Sequence, residues 1–208
     1  MTKYKRKKKA VVFDIDDCIF GFINMLCFLH NQLHGTVVSA SHFTEYDMNK
    51  INFVDAQGNE VDGADLYETF KKYEANGLYA LLEPLEHAAE ALFLINRLGY
   101  HVILMTARKP EFELQTIANL AKYKVMYDEL LFAPSGDKAK MVRKISQDYN
   151  IVAFADDKAA TVLDVFENTN VNNVYLIAQP HNNAVDLDEE IKRLNKLFDV
   201  VQYLKDVN

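Results

Sequence analysis

Five short apolar runs constrain this chain more than any other feature: Ala10–Ile15, His101–Met105, Glu129–Phe132, Ile151–Ala155 and Asn173–Ala178. Their hydrophobic residues are not interleaved with polar ones, the pattern of strands buried on both faces of a parallel sheet. Segments of helical spacing lie between them. Pro84 opens one, with Leu85, Ala88, Leu92 and Ile95 on its inner face and Gly99 as its left-handed cap. Pro110 opens a second, with Phe112, Leu114, Ile117 and Leu120 inward. A third follows Asp137 and buries Met141, Val142 and Ile145. A fourth follows Asp157 and turns Val162, Leu163 and Phe166 inward, and a last helix is expected from Leu187 to Phe198. The alternation implies an α/β fold, a Rossmann-like, doubly wound parallel sheet.

The stretch from Cys18 to Leu82 is too long for a simple crossover. It starts with an apolar helical pattern through Phe20, Ile23, Met25, Leu26, Phe28 and Leu29. A hairpin turn is expected at Gln57-Gly58-Asn59, and a second helical pattern runs through Leu66, Tyr67, Phe70 and Tyr73. The expected organisation is therefore a basic tail over residues 1–9, a core over 10–17 and 83–208, and a small, mostly helical cap over 18–82. Open α/β sheets bind ligands outside the carboxyl ends of their strands, and an insertion leaving the first strand there is placed to cover that site.

A chain of 208 residues suits one domain with such an insertion. Its two cysteines, Cys18 and Cys27, fit free thiols in a reducing compartment, so a cytoplasmic location is expected, and no zinc-type spacing occurs. No apolar stretch reaches the ~18 residues of a membrane span, and the basic start runs too soon into Asp14 for a signal peptide. The net charge is −7; Lys3, Lys5, Arg6, Lys7, Lys8 and Lys9 supply six bases, so residues 10–208 carry −13. An acidic body opposes a broad nucleic-acid surface, though residues 3–9 could touch RNA or phosphate. A solvated tail is the simpler reading of that segment.

The chemistry-bearing residues stand at strand ends. The first strand runs into Asp14, Asp16 and Asp17, and the fourth into Asp156 and Asp157. In a parallel sheet both clusters reach one edge. Two carboxylates ~4 Å apart repel by about 4 kcal/mol at an effective dielectric of ~20. Converging acids therefore hold protons or a cation, and an all-oxygen set favours a hard ion such as Mg2+. Helix capping by each acid pair is the competing explanation. The second strand ends in Thr106-Ala107-Arg108, where a hydroxyl and free amides suit an anion. Lys138 starts a helix, against the helix dipole, a placement that stability does not favour.

An Asp-x-Asp strand end, a Thr strand end, a Lys helix start and an Asp-Asp strand end, in that order, resemble the four motifs of the haloacid dehalogenase superfamily over residues 10–178. The resemblance implies that Asp14 is a nucleophile forming an aspartyl phosphate and Asp16 a general acid and base. It implies that Thr106 and Ala107 hold phosphoryl oxygens and that Lys138 neutralises charge there, with Lys140 as a rival. Mg2+ would bind Asp14, the Asp16 carbonyl and Asp156, with Asp157 and Arg108 as accessory residues. Asp16 is the second acid that the superfamily's phosphatases carry and its dehalogenases lack. The runs Asn76–Leu85, Phe154–Lys158 and Gln179-Pro180-His181-Asn182 look like the 5′(3′)-deoxyribonucleotidase family. That implies a nucleotide as substrate, with Phe20, Phe43 and Tyr46 available to stack a base; cap core is the other reading of these aromatics. The reaction expected is magnesium-dependent hydrolysis of a small phosphate ester. A polynucleotide end phosphatase, another small-molecule phosphatase and a non-catalytic phosphate-binding or scaffolding protein are the alternatives. Oligomeric state is not encoded in any of these features.

Overall fold

The computed structural model describes residues 7–134 and 136–206. Lys3, Lys5 and Arg6 of the basic segment lie outside them. Strand β1 (Lys8–Phe13) is central in a six-stranded sheet. An insertion follows, with helix α1 (Phe22–His34), a hairpin of β2 (Asn52–Val54) and β3 (Glu60–Asp62), and helices α2 (Gly63–Glu74) and α3 (Leu78–Leu81). The chain returns through α4 (Ala88–Arg97) to β4 (His101–Thr106), then α5 (Glu113–Lys122) and β5 (Glu129–Phe132). It crosses back through α6 (Lys138–Ile145) to β6 (Tyr149–Asp156), then α7 (Ala159–Asn168), β7 (Val174–Ile177), β8 (Lys192–Leu194) and α8 (Asp199–Asp206). The sheet order is β5-β4-β1-β6-β7-β8 and every pairing in it is parallel. The chain turns outward on opposite sides of β1, so the switch point where such sheets bind ligands lies between β1 and β6.

The expected strands are all present, β5 with the expected bounds and the others with shifted ends. β1 begins at Lys8 because Lys8 and Lys9 pair with Tyr149 and Asn150 of β6, so these two lysines belong to the sheet rather than to a tail. Two other expectations are corrected. Residues 187–198 form no helix; β8 lies there and pairs Lys192, Arg193 and Leu194 with Tyr175, Leu176 and Ile177. The buried residues Ile191, Leu194 and Leu197 are spaced by three, which reads as helix, yet the open edge of β7 offers unpaired backbone that this segment satisfies. Helix α5 is also rotated from its expected face: Leu114 is 82% exposed, while Thr116, Asn119 and Leu120 are buried. A tight 3-10 turn over Pro110–Phe112 precedes it and shifts the phase of a count begun at Phe112.

One face of the sheet carries Val11, Phe13, Val102, Leu104 and Tyr175 against α4 and α8. The other carries Val12, Ile103, Phe154 and Leu176 in the cluster that includes Ala139 and Val142 of α6 and Val162 and Val165 of α7. The insertion has its own apolar cluster of Ile23, Leu26, Cys27, Val38, Phe43, Ile51, Val61 and Leu66. Each fully buried aliphatic side chain contributes roughly 1.5–3 kcal/mol, enough for a small unit to hold its shape. The β2–β3 turn falls at Gln57-Gly58-Asn59 as expected, with Gly58 at φ 87° and Asp55 accepting from the amides of Gln57 and Asn59.

Gly63 starts α2 where the 48–50 turn presses against it. A Cβ there would sit 1.9 Å from the Met48 carbonyl oxygen and 2.6 Å from Asn49 Cα. Both obstacles are backbone, so neither yields cheaply. Gly63→Ala is expected to cost at least about 1 kcal/mol, seen as a fall of roughly 2–4 °C in melting temperature. An unchanged melting curve would show that the 48–50 turn moves freely.

Candidate active site

Strand register builds the floor of the site. Phe13 lies opposite Ala155, and the Asp14 amide donates to the Ala155 carbonyl at 2.9 Å. The next residue on each strand is an aspartate, so Asp14 and Asp156 leave the sheet side by side. Lys138, the first residue of α6, reaches between them, with Nζ 2.6 Å from Asp14 Oδ1 and 2.7 Å from Asp156 Oδ2. Lys140, the rival lysine, is exposed. The free oxygen of Asp156 accepts from the Lys158 amide at 2.9 Å. Asp157 pairs with His181 Nε2 at 3.0 Å. One oxygen from each of Asp14, Asp156 and Asp157 lies within 4.8 Å of the others, and all three residues are buried.

Burial dominates the electrostatics. It pushes the Asp14 carboxyl up to about 7 against the pull of Lys138, with Asp156 and Asp16 adding to the rise. Burial also raises Asp156 and Asp157, and it lifts Asp17 well above the usual range with help from Asp157. Lys138 is held above its ordinary value: burial alone would lower it, and the Asp14 and Asp156 carboxylates overcome that. Asp14 Oδ1, although in ion-pair contact with Lys138, has no hydrogen bond of good geometry among the described residues. One lysine thus serves a site with more carboxylate than it can neutralise. A hard cation with oxygen ligands fits this donor set.

The remaining expected residues ring this floor. Thr106 ends β4, fully buried, and its Oγ1 accepts from the Arg108 amide at 3.2 Å. Ala107 and Arg108 line the cavity above. The Arg108 guanidinium grips Asp16 through Nε–Oδ2 at 2.9 Å and Nη2–Oδ1 at 2.6 Å. Asp17, at φ 52°, turns the chain away and caps α1 by accepting from the Ile23 amide at 3.1 Å.

The cavity holds about 380 Å³ between the sheet edge and the insertion, within the range of small-molecule sites. Asp14, Asp16 and Asp157 lie on its core side; Phe22, Phe43, Tyr46, Phe70 and Tyr79 bring aromatic surface from the insertion and α3. Phe43 and Tyr46 both line the cavity, but Phe43 is buried in the insertion's apolar cluster, as cap core, while Tyr46 is 53% exposed. Phe20 does not line it: it is fully buried in the main core, 5.9 Å centroid to centroid from Tyr123, because it follows the tight turn after β1 and points under the sheet edge rather than into the cavity. Tyr46 stands edge-on to His181 at 5.5 Å, with Lys158 Nζ 4.4 Å from its ring centre, and so closes the insertion onto the core.

Residues that sequence reasoning did not place in the site brace its loops. Gln179 Nε2 donates to the Asp17 carbonyl at 2.7 Å, and Asn182 Nδ2 donates to the Asp157 carbonyl at 2.6 Å and to the Ile177 carbonyl at 2.8 Å. The 179–182 turn thereby ties both acidic loops together. Glu74, Lys71, Glu45 and Lys109 also line the cavity, with no motif to mark them.

The chain matches the family model for the HAD superfamily, subfamily IIIB (acid phosphatase), over residues 1–182. No curated protein sequence matches it. Among solved structures it is similar to the L-2-haloacid dehalogenase from Xanthobacter autotrophicus, at 13% identity and TM-score 0.64 over 97% of this chain and 100% of that one. It is also similar to a predicted phosphoglycolate phosphatase from Haemophilus somnus 129pt, at 12% identity and TM-score 0.61 over 96% and 99%. A third is the D,D-heptose 1,7-bisphosphate phosphatase from B. bronchiseptica, solved with magnesium and phosphate, at 11% identity and TM-score 0.54 over 97% and 99%. At such identities these likenesses establish the fold. No helix among the described residues is long and apolar enough to cross a membrane. The family match spans most of the chain and the site's aspartates and lysine, and the chain belongs to the HAD superfamily, subfamily IIIB, the acid phosphatases.

Proposed function

We propose that the protein is a magnesium-dependent phosphomonoester hydrolase that works through an aspartyl phosphate on Asp14, with a nucleoside or deoxynucleoside monophosphate as substrate. The observation that carries the reaction is the buried Asp14–Lys138–Asp156 cluster at the floor of a cavity. The observation that favours a nucleotide is the aromatic lining of that cavity by Phe43, Tyr46 and Phe70. The likeness of the 76–85, 154–158 and 179–182 segments to deoxyribonucleotidases points the same way. A cavity of this size suits a mononucleotide better than a polynucleotide end.

In this reading an Asp14 oxygen attacks phosphorus while the bond to the leaving oxygen breaks, and Asp16 gives that oxygen its proton. Water then attacks the aspartyl phosphate, Asp16 takes a proton from it, and Asp14 and inorganic phosphate are released. Lys138 offsets the charge of the phosphoryl group, and the amides after Thr106 donate to its oxygens. Asp14, the Asp16 carbonyl and Asp156 would hold magnesium, with Asp157 beside them, and the ion would supply charge neutralisation at the phosphoryl oxygens. A cytoplasmic location and the cap over 18–82 as the selective lid complete the proposal. Discrimination must arise there, because every substrate presents the same phosphoryl group.

Asp14→Asn is expected to abolish turnover, and retained activity would mean that water attacks phosphorus directly. The same variant tests the electrostatics. With its carboxyl raised to about 7, wild-type Asp14 holds a proton in the folded state that the unfolded state has lost above pH ~4. Stability of the metal-free protein therefore falls as pH rises from about 4 to 7, and Asp14→Asn removes this contribution. Its melting temperature at pH 7.5 without metal is expected to exceed wild type by roughly 2–4 °C, with the gap closing at pH 4.5. A gap that widens toward acid pH would contradict the crowding.

Tyr46→Ala is expected to lower kcat/KM for a nucleoside monophosphate by a few-fold to about a hundredfold, equivalent to about 1–3 kcal/mol of stacking. Phenyl phosphate turnover should change little. Equal losses on both substrates would remove the nucleotide assignment and leave the phosphatase.

A further inference from the structure

Arg108 is 3% exposed, an expensive place for a permanent charge. Two of its nitrogens hold Asp16, as described above. Nη1 donates to Thr116 Oγ1 at 3.0 Å, and Thr116 donates onward to the Phe112 carbonyl at 2.9 Å. The guanidinium carbon lies over the Tyr79 ring, 4.3 Å from its centre. The Tyr79 hydroxyl donates to Glu74 Oε1 at 3.0 Å, at the last turn of α2. A continuous chain of contacts thus runs from Asp16 through Arg108 and Tyr79 to Glu74, from the loop after β1 to the insertion.

Stability does not explain this arrangement. An apolar residue at 116 would serve the inner face of α5 without a polar atom to satisfy, and a buried ion pair is weak support for a fold. Position explains it better. The Asp16 side chain is 26% exposed at the cavity wall, where an unsupported carboxylate samples several rotamers. The planar fork of an arginine fixes a carboxylate in one orientation through two bonds, which a lysine cannot do.

We propose that Arg108 is the positioning residue for Asp16, and that Tyr79 and Glu74 tie that position to the insertion. The proposal rests on the reading of Asp16 as the acid that protonates the leaving oxygen: one Asp16 oxygen stays on Arg108 while the other leaves the fork to carry the proton. It makes Arg108 matter in proportion to how much the leaving group needs that proton. A p-nitrophenolate departs without help, and an alkoxide does not.

The test compares kcat and KM for p-nitrophenyl phosphate and glycerol phosphate in wild type, Asp16→Asn, Arg108→Gln, Arg108→Lys, Tyr79→Phe and the Asp16→Asn/Arg108→Gln pair. Arg108→Gln is expected to lower kcat on glycerol phosphate at least about tenfold more than on p-nitrophenyl phosphate, with KM little changed. The double variant should be no slower than Asp16→Asn alone, since the two residues act as one unit. Arg108→Lys should recover part of the loss. Tyr79→Phe keeps the ring under Arg108 and removes only the hydroxyl to Glu74; a loss of a few-fold confined to glycerol phosphate is expected. These last two variants serve if Arg108→Gln does not fold. Equal losses on both esters, or losses that multiply in the double variant, would overturn the role of Arg108 alone. An Asp16→Asn variant without leaving-group dependence would overturn the acid assignment and this role with it.

Discussion

The placement of Lys138 between Asp14 and Asp156 is the interaction on which the site depends. Two carboxylates forced together by strand register repel, and burial makes each costlier to ionise. A single ammonium at 2.6 and 2.7 Å relieves part of that cost. Its own location makes sense only in this context. A lysine at a helix N-terminus works against the helix dipole, and one that is 3% exposed loses its hydration. Both penalties are offset by the aspartates alone. The cluster is consequently stable as a set and unstable in part, because removing Lys138 leaves two buried acids and removing both acids leaves a buried cation.

The loops that carry these charges cannot be left to find their own positions. The 179–182 turn binds the Asp17 and Asp157 carbonyls, and Arg193 holds that turn by donating to the Asn182 carbonyl and side-chain oxygens at 2.8 Å. Arg193 sits in β8, which also covers the edge of β7. The outermost strand of the sheet thus takes part in holding two loops nearer its centre. An edge strand with this second duty carries more of the site's geometry than its three residues suggest.

What could be read in the sequence was whatever depends on local periodicity and on strand ends. Asp14, Asp16, Thr106, Asp156 and Asp157 are legible because parallel register brings strand ends to one edge without further information, and Lys138 because it stands at a helix start against the dipole. The doubly wound sheet follows from the same runs. β8 was not legible: Ile191, Leu194 and Leu197 satisfy helical spacing, and only the unpaired edge of β7 decides for a strand. The face of α5 was not legible either, since Leu114 looks like core until the 3-10 turn before it is known. Phe20 fails for a related reason. Aromatic composition says that a ring exists, and only the turn after β1 says that this one points away from the cavity.

The inner face of α5 shows how the fold and the site share one helix. Its buried Thr116 supports Arg108, and its buried Asn119 donates to the Leu82 carbonyl at 3.1 Å, at the point where the insertion rejoins the core. Two polar residues occupy places that a purely structural helix would fill with leucine. Leu114, left outside, is what a periodicity count exchanges for them. Such polar positions on a buried face cost stability unless every hydrogen-bonding atom finds a partner, and Asn119 Oδ1 has none among the described residues. Through these two residues α5 links Arg108 and the end of the insertion from beneath, by side chains that do not line the cavity.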